Sequence, residues 1–432
     1  MGHFSAGPRL RSMALGVGAV LLLAGCGGGG GTTGSSTSNE VTVWTAWGGQ
    51  ELKAFKDVLK PFQDKTGYKV RITTVRDASQ LAINVDAGTT LPDIAAAPTP
   101  DKVADWVQKG VMKPLESFLD MNSYLQNTYP ALTAANIQNG VVNGKHYEMF
   151  VKTQVKGLFW FNKKTFTGTA PKTFDEMMAI SPPSGAKLFC VGLSSGDASG
   201  WPATDMLDNI IMRQSGDKIY NDWIAGKVKW TDPAIKKGFQ TYLKMVTPAT
   251  VYGGPSTVLS TPFGDAGKPL FSSPPGCLFL EQATFITNFF TQNNPGLKAG
   301  TDFDFFPHPS VESQYDGNVN GFADNFVLYN NNSAAKELMK YMSTKEAQQI
   351  WVNDGGTLAA RKDITSYPDP IFKHAAEVAL SAKNLLVTAG DFMPADMQHA
   401  FWKAMLDVTK TPSSLDSVLS RLDQVQKAAY SS

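Results

Sequence analysis

The fold of this chain is decided by residues 40–73, which open with Glu40-Val41-Thr42-Val43-Trp44 and close with Val70-Arg71-Ile72-Thr73. Both short runs are rich in β-branched residues, which predicts two strands. Between them, apolar residues recur at the spacing of one helix face, and Gly67 then ends the pattern. The residues with that spacing are Leu52, Phe55, Leu59 and Phe62. The stretch therefore predicts a strand, a helix and a second strand in succession.

The same alternation continues over the next segments. Residues 81–85 are predicted to be helical, residues 92–97 to form a short buried strand, and residues 103–107 to be helical again. This β-α-β-α order predicts an α/β fold with a mostly parallel sheet and helices on both faces. Farther along the chain, Ser343 and Glu346 have the spacing of a capping box, which predicts the start of a helix there.

Residues 1–25 have the pattern of a bacterial lipoprotein signal peptide. Two arginines precede an apolar segment at residues 13–24 that is too short to span a bilayer and leads into Leu-Ala-Gly-Cys. Processing there would make Cys26 the lipid-bearing N-terminus, and residues 26–39, rich in Gly, Ser and Thr, would form a flexible tether. A buried N-terminal helix is the alternative. We expect an exported protein, anchored by lipid to the outer face of the cytoplasmic membrane.

The composition is that of a large globular protein. The chain is 42% hydrophobic and 11% aromatic, which is ample for a core in two domains or lobes. Its formal net charge is +1 at pH 7, and it has no basic run that would follow a phosphate backbone. We therefore expect no nucleic-acid partner.

The cysteines and histidines narrow the chemistry further. Cys190 and Cys277 remain after Cys26, and an even pair in an exported protein predicts a disulfide, with two separate buried thiols as the alternative. The five histidines show no spacing typical of metal ligands. The sequence predicts neither a metal nor another cofactor.

One motif points to an enzyme. The run Gly192-Leu193-Ser194-Ser195-Gly196 matches the G-x-S-x-G nucleophile elbow, and a distant histidine would complete a triad. The elbow requires a helix directly after the serine, whereas Gly200 and Pro202 interrupt the stretch that follows. An exported carbohydrate hydrolase or lyase using Ser194 therefore remains the alternative function.

The tryptophans favour a sugar-binding cleft. Trp47, Trp201 and Trp402 lie in turn-like or glycine-flanked contexts instead of on regular apolar faces. An aromatic face stacks on the C–H face of a pyranose ring, while nearby carboxylates and amides bind its hydroxyl groups. Trp47 and Trp402 are expected to be such platforms, with core packing as the alternative for Trp47. Other tryptophans are expected in the core, namely Trp44, Trp106, Trp223, Trp230 and Trp351.

Several longer runs resemble one known family. Besides the leader, they are residues 41–44, 88–94, 159–163, 171–176 and 401–402. Together they resemble the extracellular solute-binding proteins of sugar ABC importers over essentially the whole mature chain. Three further runs are similar to the branch associated with α-glucosides, namely residues 195–205, 260–266 and 273–277.

The resemblance implies a two-lobed periplasmic-binding-protein fold, with a mostly parallel sheet in each lobe and a ligand cleft between the lobes. Lobe I would comprise residues 40–153 and 321–372, and lobe II residues 154–320 and 373–432. The chain would cross between the lobes near residues 153–156, 318–321 and 371–384. The resemblance also implies a monomer that works with the permease subunits of an ABC transporter.

The family's cleft positions are carried over residue by residue. They are Trp47, Gly48, Gln50, Asp101, Asp197, Trp201, Gln282, Asp324 and Trp402. The expected function is therefore the capture, without catalysis, of a carbohydrate ligand such as an α-glucoside or a short oligosaccharide. A lipid-tethered adhesion or sensor module that uses the same cleft is a further alternative.

Overall fold

The computed structural model describes residues 39–75, 79–97, 100–128, 140–355 and 357–431. The strands are β1 (Glu40–Thr45), β2 (Lys69–Thr74), β3 (Ile94–Ala96), β4 (Val141–Val142), β5 (Lys145–His146), β6 (Met149–Val155), β7 (Leu158–Asn162), β8 (Lys187–Cys190), β9 (Cys277–Gln282), β10 (Phe303–Pro307), β11 (Asn318–Leu328) and β12 (Asn384–Leu386).

The α-helices lie between and after these strands. They are α1 (Gly49–Thr66), α2 (Ser79–Asp86), α3 (Pro100–Gln108), α4 (Met121–Asn127), α5 (Phe174–Met178), α6 (Trp201–Gln214), α7 (Gly216–Ile224), α8 (Pro233–Met245), α9 (Gly254–Ser260), α10 (Ile286–Asn293), α11 (Ser333–Met342), α12 (Lys345–Asp354), α13 (Pro370–Ser381), α14 (Ala389–Phe392), α15 (Ala395–Lys410) and α16 (Leu415–Ala429).

The first sheet has the strand order β12-β11-β3-β1-β2, and β6 pairs with β11 outside this order. β1 is parallel to both β2 and β3, so the parallel arrangement predicted from the alternation of strands and helices is confirmed here. The connecting helix α1 buries Phe55, Leu59 and Phe62 from the predicted apolar face. It ends at Gly67, whose left-handed φ of 73° favours glycine.

The second sheet has the order β10-β7-β9-β8 and departs from the expectation. Only β8 and β9 are parallel, whereas β7 is antiparallel to both β10 and β9. The expectation of a mostly parallel sheet in each lobe is therefore wrong for this sheet. The direction of β7 is set by its pairing with β9 and β10, both of which come more than a hundred residues later in the chain.

A disulfide joins two neighbouring strands of the second sheet. Cys190 ends β8 and Cys277 begins β9, and the two are bonded with their Cα atoms 5.6 Å apart. Both residues are buried. The disulfide predicted from the even cysteine pair is confirmed.

β11 connects several parts of the fold. Its first residues pair in parallel with β12, the segment from Gly321 to Phe326 pairs antiparallel with β6, and its last residues pair with β3. Gly321 lies opposite Val155, so two of the segments expected to cross between lobes lie side by side. The lobe boundaries themselves stay a prediction.

Apolar cores form on both sheets. Helices α6, α8, α15 and α16 contribute the buried side chains Ile210, Phe239, Phe401 and Leu419 to the core over the second sheet. The expected burial of Trp106, Trp223, Trp230 and Trp351 is confirmed, and Trp44 is half-buried.

The start of α12 differs by one residue from the capping-box prediction. Thr344 is its N-cap, and the Thr344 hydroxyl accepts a hydrogen bond from the Ala347 N–H at 3.2 Å. Ser343 instead follows the end of α11, and its hydroxyl donates to the carbonyl of Lys340. The two helices are so close that Ser343 keeps the helical backbone conformation of α11, which an N-cap residue does not have.

The leader, Cys26 and the tether up to Ser38 lie outside the described residues. Among the helices of the described ranges, none is both long and apolar enough to cross a membrane.

Candidate functional site

Two buried lysines mark the strand pair at the centre of the fold. Lys152 lies within β6, and Lys156 follows the end of the same strand. Both belong to a run that is otherwise apolar or uncharged and fully buried. A buried ammonium group requires compensating partners, and each of these lysines has two carboxylates within 4.0 Å.

The Lys152 cluster consists of Lys152, Glu51 on α1, Asp324 on β11 and two indole rings. The Nζ atom of Lys152 lies 2.7 Å from Glu51 Oε1 and 3.3 Å from Asp324 Oδ2. It also lies 4.8 Å from the ring centre of Trp47 and 5.8 Å from that of Trp351. Burial alone would lower the pKa of Lys152, but Asp324 and Glu51 outweigh it and raise the pKa above its ordinary value. The lysine is therefore held in its charged form.

The Lys156 cluster consists of Lys156, Asp205 on α6, Asp391 on α14 and the rings of Phe322 and Trp201. Lys156 Nζ lies 2.8 Å from Asp205 Oδ1 on α6 and 3.9 Å from Asp391 Oδ2 on α14. The Phe322 ring centre is 4.6 Å from this Nζ, and that of Trp201 is 5.9 Å away. Burial opposes the charge of Lys156, but Asp205 and Asp391 raise its pKa overall. Burial raises the pKa of Asp205 to about 6, with Lys156 acting in the opposite direction.

Gly200, the residue before Trp201, makes a close backbone contact with Trp402. Gly200 precedes α6 with a φ of 107°, and a Cβ atom there would lie 2.3 Å from the carbonyl oxygen of Trp402 on α15. Only glycine fits both conditions. Both tryptophans are half-buried. Trp201 packs edge-on against Phe263 with ring centres 5.1 Å apart.

The structure places Trp47 differently from the expected stacking platform. Its side chain is 6% exposed and packs edge-on against Phe55 and Trp351, with 5.0 Å between ring centres in each case. The indole is thus part of the core behind the Lys152 cluster. Of its predicted neighbours, Gly48 is half-buried, and Gln50 is exposed in the first turn of α1.

The remaining predicted residues are spread over several elements. Asp324 belongs to the Lys152 cluster, whereas Asp197 is exposed in the turn before α6. Gln282 ends β9 and is buried, and its Oε1 accepts a hydrogen bond from the neighbouring Ala283 N–H at 3.0 Å. Asp101 lies in the first turn of α3, and its side chain lies outside the description.

Further ionisable groups are buried near the Lys156 cluster. Asp208 accepts a hydrogen bond from the Ala389 N–H at 2.9 Å, and burial raises its pKa well above the usual value. Burial also raises the pKa of Glu281 well above its usual value. Neither carboxylate oxygen of Glu281 has a hydrogen-bond partner among the described residues. Burial also lowers the pKa of His308 to about 3, which keeps its ring neutral at pH 7.

The G-x-S-x-G motif lacks the structure of a nucleophile elbow. The Ser194 N–H donates to the carbonyl of Thr261, and the Ser194 carbonyl accepts from Phe263, so the segment is held as a strand-like bridge. The next helix, α6, begins only at Trp201. The described residues also hold no group of three or more His, Cys, Asp or Glu side chains placed to bind a metal ion.

Comparison with known proteins identifies the family. The sequence profile described as bacterial extracellular solute-binding protein matches residues 57–379. The α-glucosides-binding periplasmic protein AglE of Rhizobium meliloti is 31% identical over 87% of this chain and 84% of its own length. The chain belongs to the bacterial extracellular solute-binding proteins. It is a binding protein and not an enzyme, and its resemblance to the α-glucoside branch is confirmed.

Two further proteins are similar to this solute-binding protein, one in sequence and one in structure. The osmoprotective compounds-binding protein GgtB of Synechocystis sp. is 29% identical over 87% of this chain and 89% of its own length. A solved chitin oligosaccharide binding protein matches with a TM-score of 0.75 at 18% identity, over 91% of this chain and 99% of its own. The latter likeness shows the fold alone, and the expected two-lobed α/β class is confirmed.

Glu51, Lys152, Phe322 and Asp391 were not among the site residues predicted from the sequence. The sequence does contain a sign that the two lysines are special. Lys152 and Lys156 interrupt a run with the burial pattern of a central strand. A charge in such a run predicts a partnered buried ion. Which carboxylates supply the partners follows only from the tertiary structure, since Glu51 is 101 residues away from Lys152 in the sequence.

Proposed function

We propose that this solute-binding protein captures a sugar for an ABC importer, and that the sugar is an α-glucoside or a short oligosaccharide. Membership in the family supports the role in solute capture. The ligand class named for AglE supports the choice of α-glucosides. The proposed partner is the permease of the importer, and the proposed working form is a monomer.

The single observation that carries the choice of a sugar is the placement of two half-buried indoles, those of Trp201 and Trp402, near the carboxylates of the Lys156 cluster. The ring centre of Trp201 lies 5.9 Å from Lys156 Nζ, and a Cβ atom at Gly390, the residue before Asp391, would lie 3.9 Å from Nε1 of Trp402. Aromatic faces next to hydrogen-bonding carboxylates suit a pyranose ring, whose C–H faces are apolar and whose edges carry hydroxyl groups.

The proposed contact set combines these two tryptophans with the cleft positions that the family resemblance implies. Trp201 and Trp402 stack on the sugar, and Asp324 binds hydroxyl groups, while Trp47 supports Lys152 from behind. Further proposed contacts are Gly48, Gln50, Asp101, Asp197 and Gln282. We also propose that lipid on Cys26 anchors the protein at the outer face of the cytoplasmic membrane.

A fluorescence titration tests the proposal. The purified mature protein is titrated with maltose, trehalose, sucrose and maltotriose while tryptophan emission is recorded, and the solution is assayed for released glucose. We expect a saturable change with at least one sugar and no glucose release. The absence of any response across the panel would contradict the proposal. So would sustained glucose release that Ser194→Ala abolishes.

A further inference from the structure

The Lys152 and Lys156 clusters share one arrangement, in which a buried lysine holds partly exposed carboxylates. The side chains of Glu51, Asp324 and Asp391 are 33%, 32% and 46% exposed, whereas those of the two lysines are 3% and 7% exposed. The cations thus lie beneath the carboxylates and out of contact with solvent. The groups that a ligand would meet are the carboxylates.

The two clusters lie along one strand. Lys152 and Lys156 are four residues apart, so their backbones are separated by about 13 Å, and their even spacing directs both side chains to one face of β6. Asp324 is directly opposite Lys152 across the strand pair, and Phe322 is opposite Gln154. Both clusters therefore border the same surface.

Hydrogen-bonding capacity remains in both clusters. Among the described residues, Glu51 and Asp391 each use a single carboxylate oxygen in an ion pair. Asp205 is 8% exposed, and its Oδ2 atom has no hydrogen-bond partner in the described part of the chain. A buried carboxylate oxygen in this state favours a donor, such as a ligand hydroxyl group or a water molecule.

We propose that Glu51, Asp324 and Asp391 bind the hydroxyl groups of the ligand, that Lys152 and Lys156 position these carboxylates, and that the arrangement selects uncharged polyhydroxy ligands over anionic ones. The inference rests on the proposed function and names the class of ligand that its site accepts. Glu51 and Asp391 are additions to the contact set given above, and Lys152 and Lys156 are added as positioning residues.

The balance of charges carries the selectivity. Each lysine already has two carboxylate partners, so each cluster has one negative charge in excess and neither lysine offers an unpaired cation. A ligand carboxylate or phosphate would meet like charges at close range. A sugar hydroxyl group, in contrast, donates to a carboxylate in a charge-assisted hydrogen bond.

The test compares each neutral sugar that the wild type binds with its own uronic acid or 6-phosphate, by isothermal titration calorimetry at low salt. We expect the wild type to bind the anionic form at least roughly 10-fold more weakly, because its charge meets like charges at the protein surface. Glu51→Gln and Asp324→Asn are each expected to weaken the neutral sugar about 10-fold. Each is also expected to bring the ratio of the two affinities closer to one.

The control variant is Asp64→Asn, on the same helix as Glu51. Asp64 is also paired with a lysine, Lys60, at 2.6 Å, but both side chains are well exposed. We expect this change to leave the affinity and the ratio as in the wild type. Lys152→Met is expected to reproduce the loss of sugar affinity, and Lys152→Arg is expected to restore part of that affinity. A purely structural role of the carboxylates would not require this partial recovery.

The outcomes separate the inference from the proposed function. If no uncharged sugar in the panel binds to the wild type, both are wrong. If the wild type binds a sugar but Glu51→Gln and Asp324→Asn behave as Asp64→Asn does, only the inference is wrong. It is equally overturned if the anionic form binds as tightly as the neutral one. Should Lys152→Met fail to fold, the two carboxylate variants still decide the matter.

Discussion

Trp402 lies half-buried on α15, outside the fully buried part of the core, and its ring centre is 5.3 Å from that of His399. We predict that Trp402→Ala weakens sugar binding and leaves the fold intact. Removal of this ring takes aromatic contact area from the ligand and opens no cavity in close-packed surroundings. The measurements are the affinity by calorimetry and the free energy of unfolding by urea denaturation.

Trp223 supplies the matched comparison. It is fully buried and packs edge-on against Trp230 at 4.8 Å and Phe401 at 5.4 Å. Trp223→Ala should cost about 3 to 5 kcal/mol of stability, with near-normal affinity in the fraction that remains folded. If Trp402→Ala instead lowers stability by a similar amount and leaves the affinity unchanged, Trp402 is a core residue.

Trp47 shows the limit of sequence reasoning at this scale. Its glycine-flanked context indicated a loop correctly, because α1 begins only at Gly49. Whether a loop residue is exposed depends on what packs over it, and for Trp47 these neighbours are Phe326 and Trp351. Both lie far along the chain, so no local pattern carried this information. The approach of the Trp402 backbone to Gly200 is likewise a tertiary contact, which no local pattern announces.

Glu148 gives the stability a pH dependence. It is buried and accepts a hydrogen bond from Asn325 Nδ2 at 2.8 Å, and burial raises its pKa to about 7. Between the usual glutamate pKa and pH 7, the folded state therefore binds more protons than the unfolded state, so this group makes the protein less stable as pH rises. We predict that Glu148→Gln removes this loss. The stability difference between variant and wild type should shift in favour of the variant by up to about 3 kcal/mol from pH 4.5 to 8.

Urea denaturation at the two pH values checks this prediction. Glu337→Gln, at an exposed position of α11, is the control and should leave the difference from the wild type independent of pH. A difference that stays constant for Glu148→Gln as well would mean that Glu148 titrates normally in the folded protein.

At the scale of elements, the contact between α6 and α15 depends on Gly200. An alanine Cβ would meet the carbonyl of Trp402, in addition to the strain of a left-handed backbone. We predict that Gly200→Ala lowers the free energy of unfolding by more than the ~1–2 kcal/mol of backbone strain alone. We also expect it to weaken sugar binding, because it displaces the start of α6, which carries Trp201, from the backbone of α15, which carries Trp402.

Gly185→Ala isolates the backbone contribution. Gly185 has a φ of 86°, and a Cβ atom there would contact nothing within 4 Å. Both variants are compared by thermal unfolding and by sugar titration. Equal losses of stability and unchanged affinity for both would show that the approach to Trp402 has no energetic weight.

Helices and strands were predictable where a local sequence pattern specifies them. β1, α1, β2 and α2 lie where the periodic patterns placed them, since each pattern is local. The direction of β7 was not predictable in that way. It follows from pairing with β9 and β10, which lie more than a hundred residues farther along the chain. The start of α12 was misplaced by one residue because two adjacent hydroxyl residues, Ser343 and Thr344, both suit an N-cap.

For the whole molecule, the proposed lipid anchor can be tested independently of the ligand. We predict that Cys26→Ser moves the protein from the membrane fraction to the soluble fraction of the producing cells. Without lipid chains, the Gly/Ser/Thr tether has no apolar group to hold it at a bilayer. Detergent phase partitioning and metabolic labelling with a radioactive fatty acid measure the effect.

Ser35→Ala, in the same tether, serves as the control and should remain in the membrane fraction. If Cys26→Ser also remains there and the wild type takes up no label, the protein is held by some other means and the proposed anchor is wrong.

The glycine at position 200 also has a consequence for engineering and for evolutionary drift. Since it ties the backbone before Trp201 to that of Trp402, substitutions at these two positions are not independent, although 201 residues separate them in the chain. A library that varies one of them at a time will miss compatible pairs.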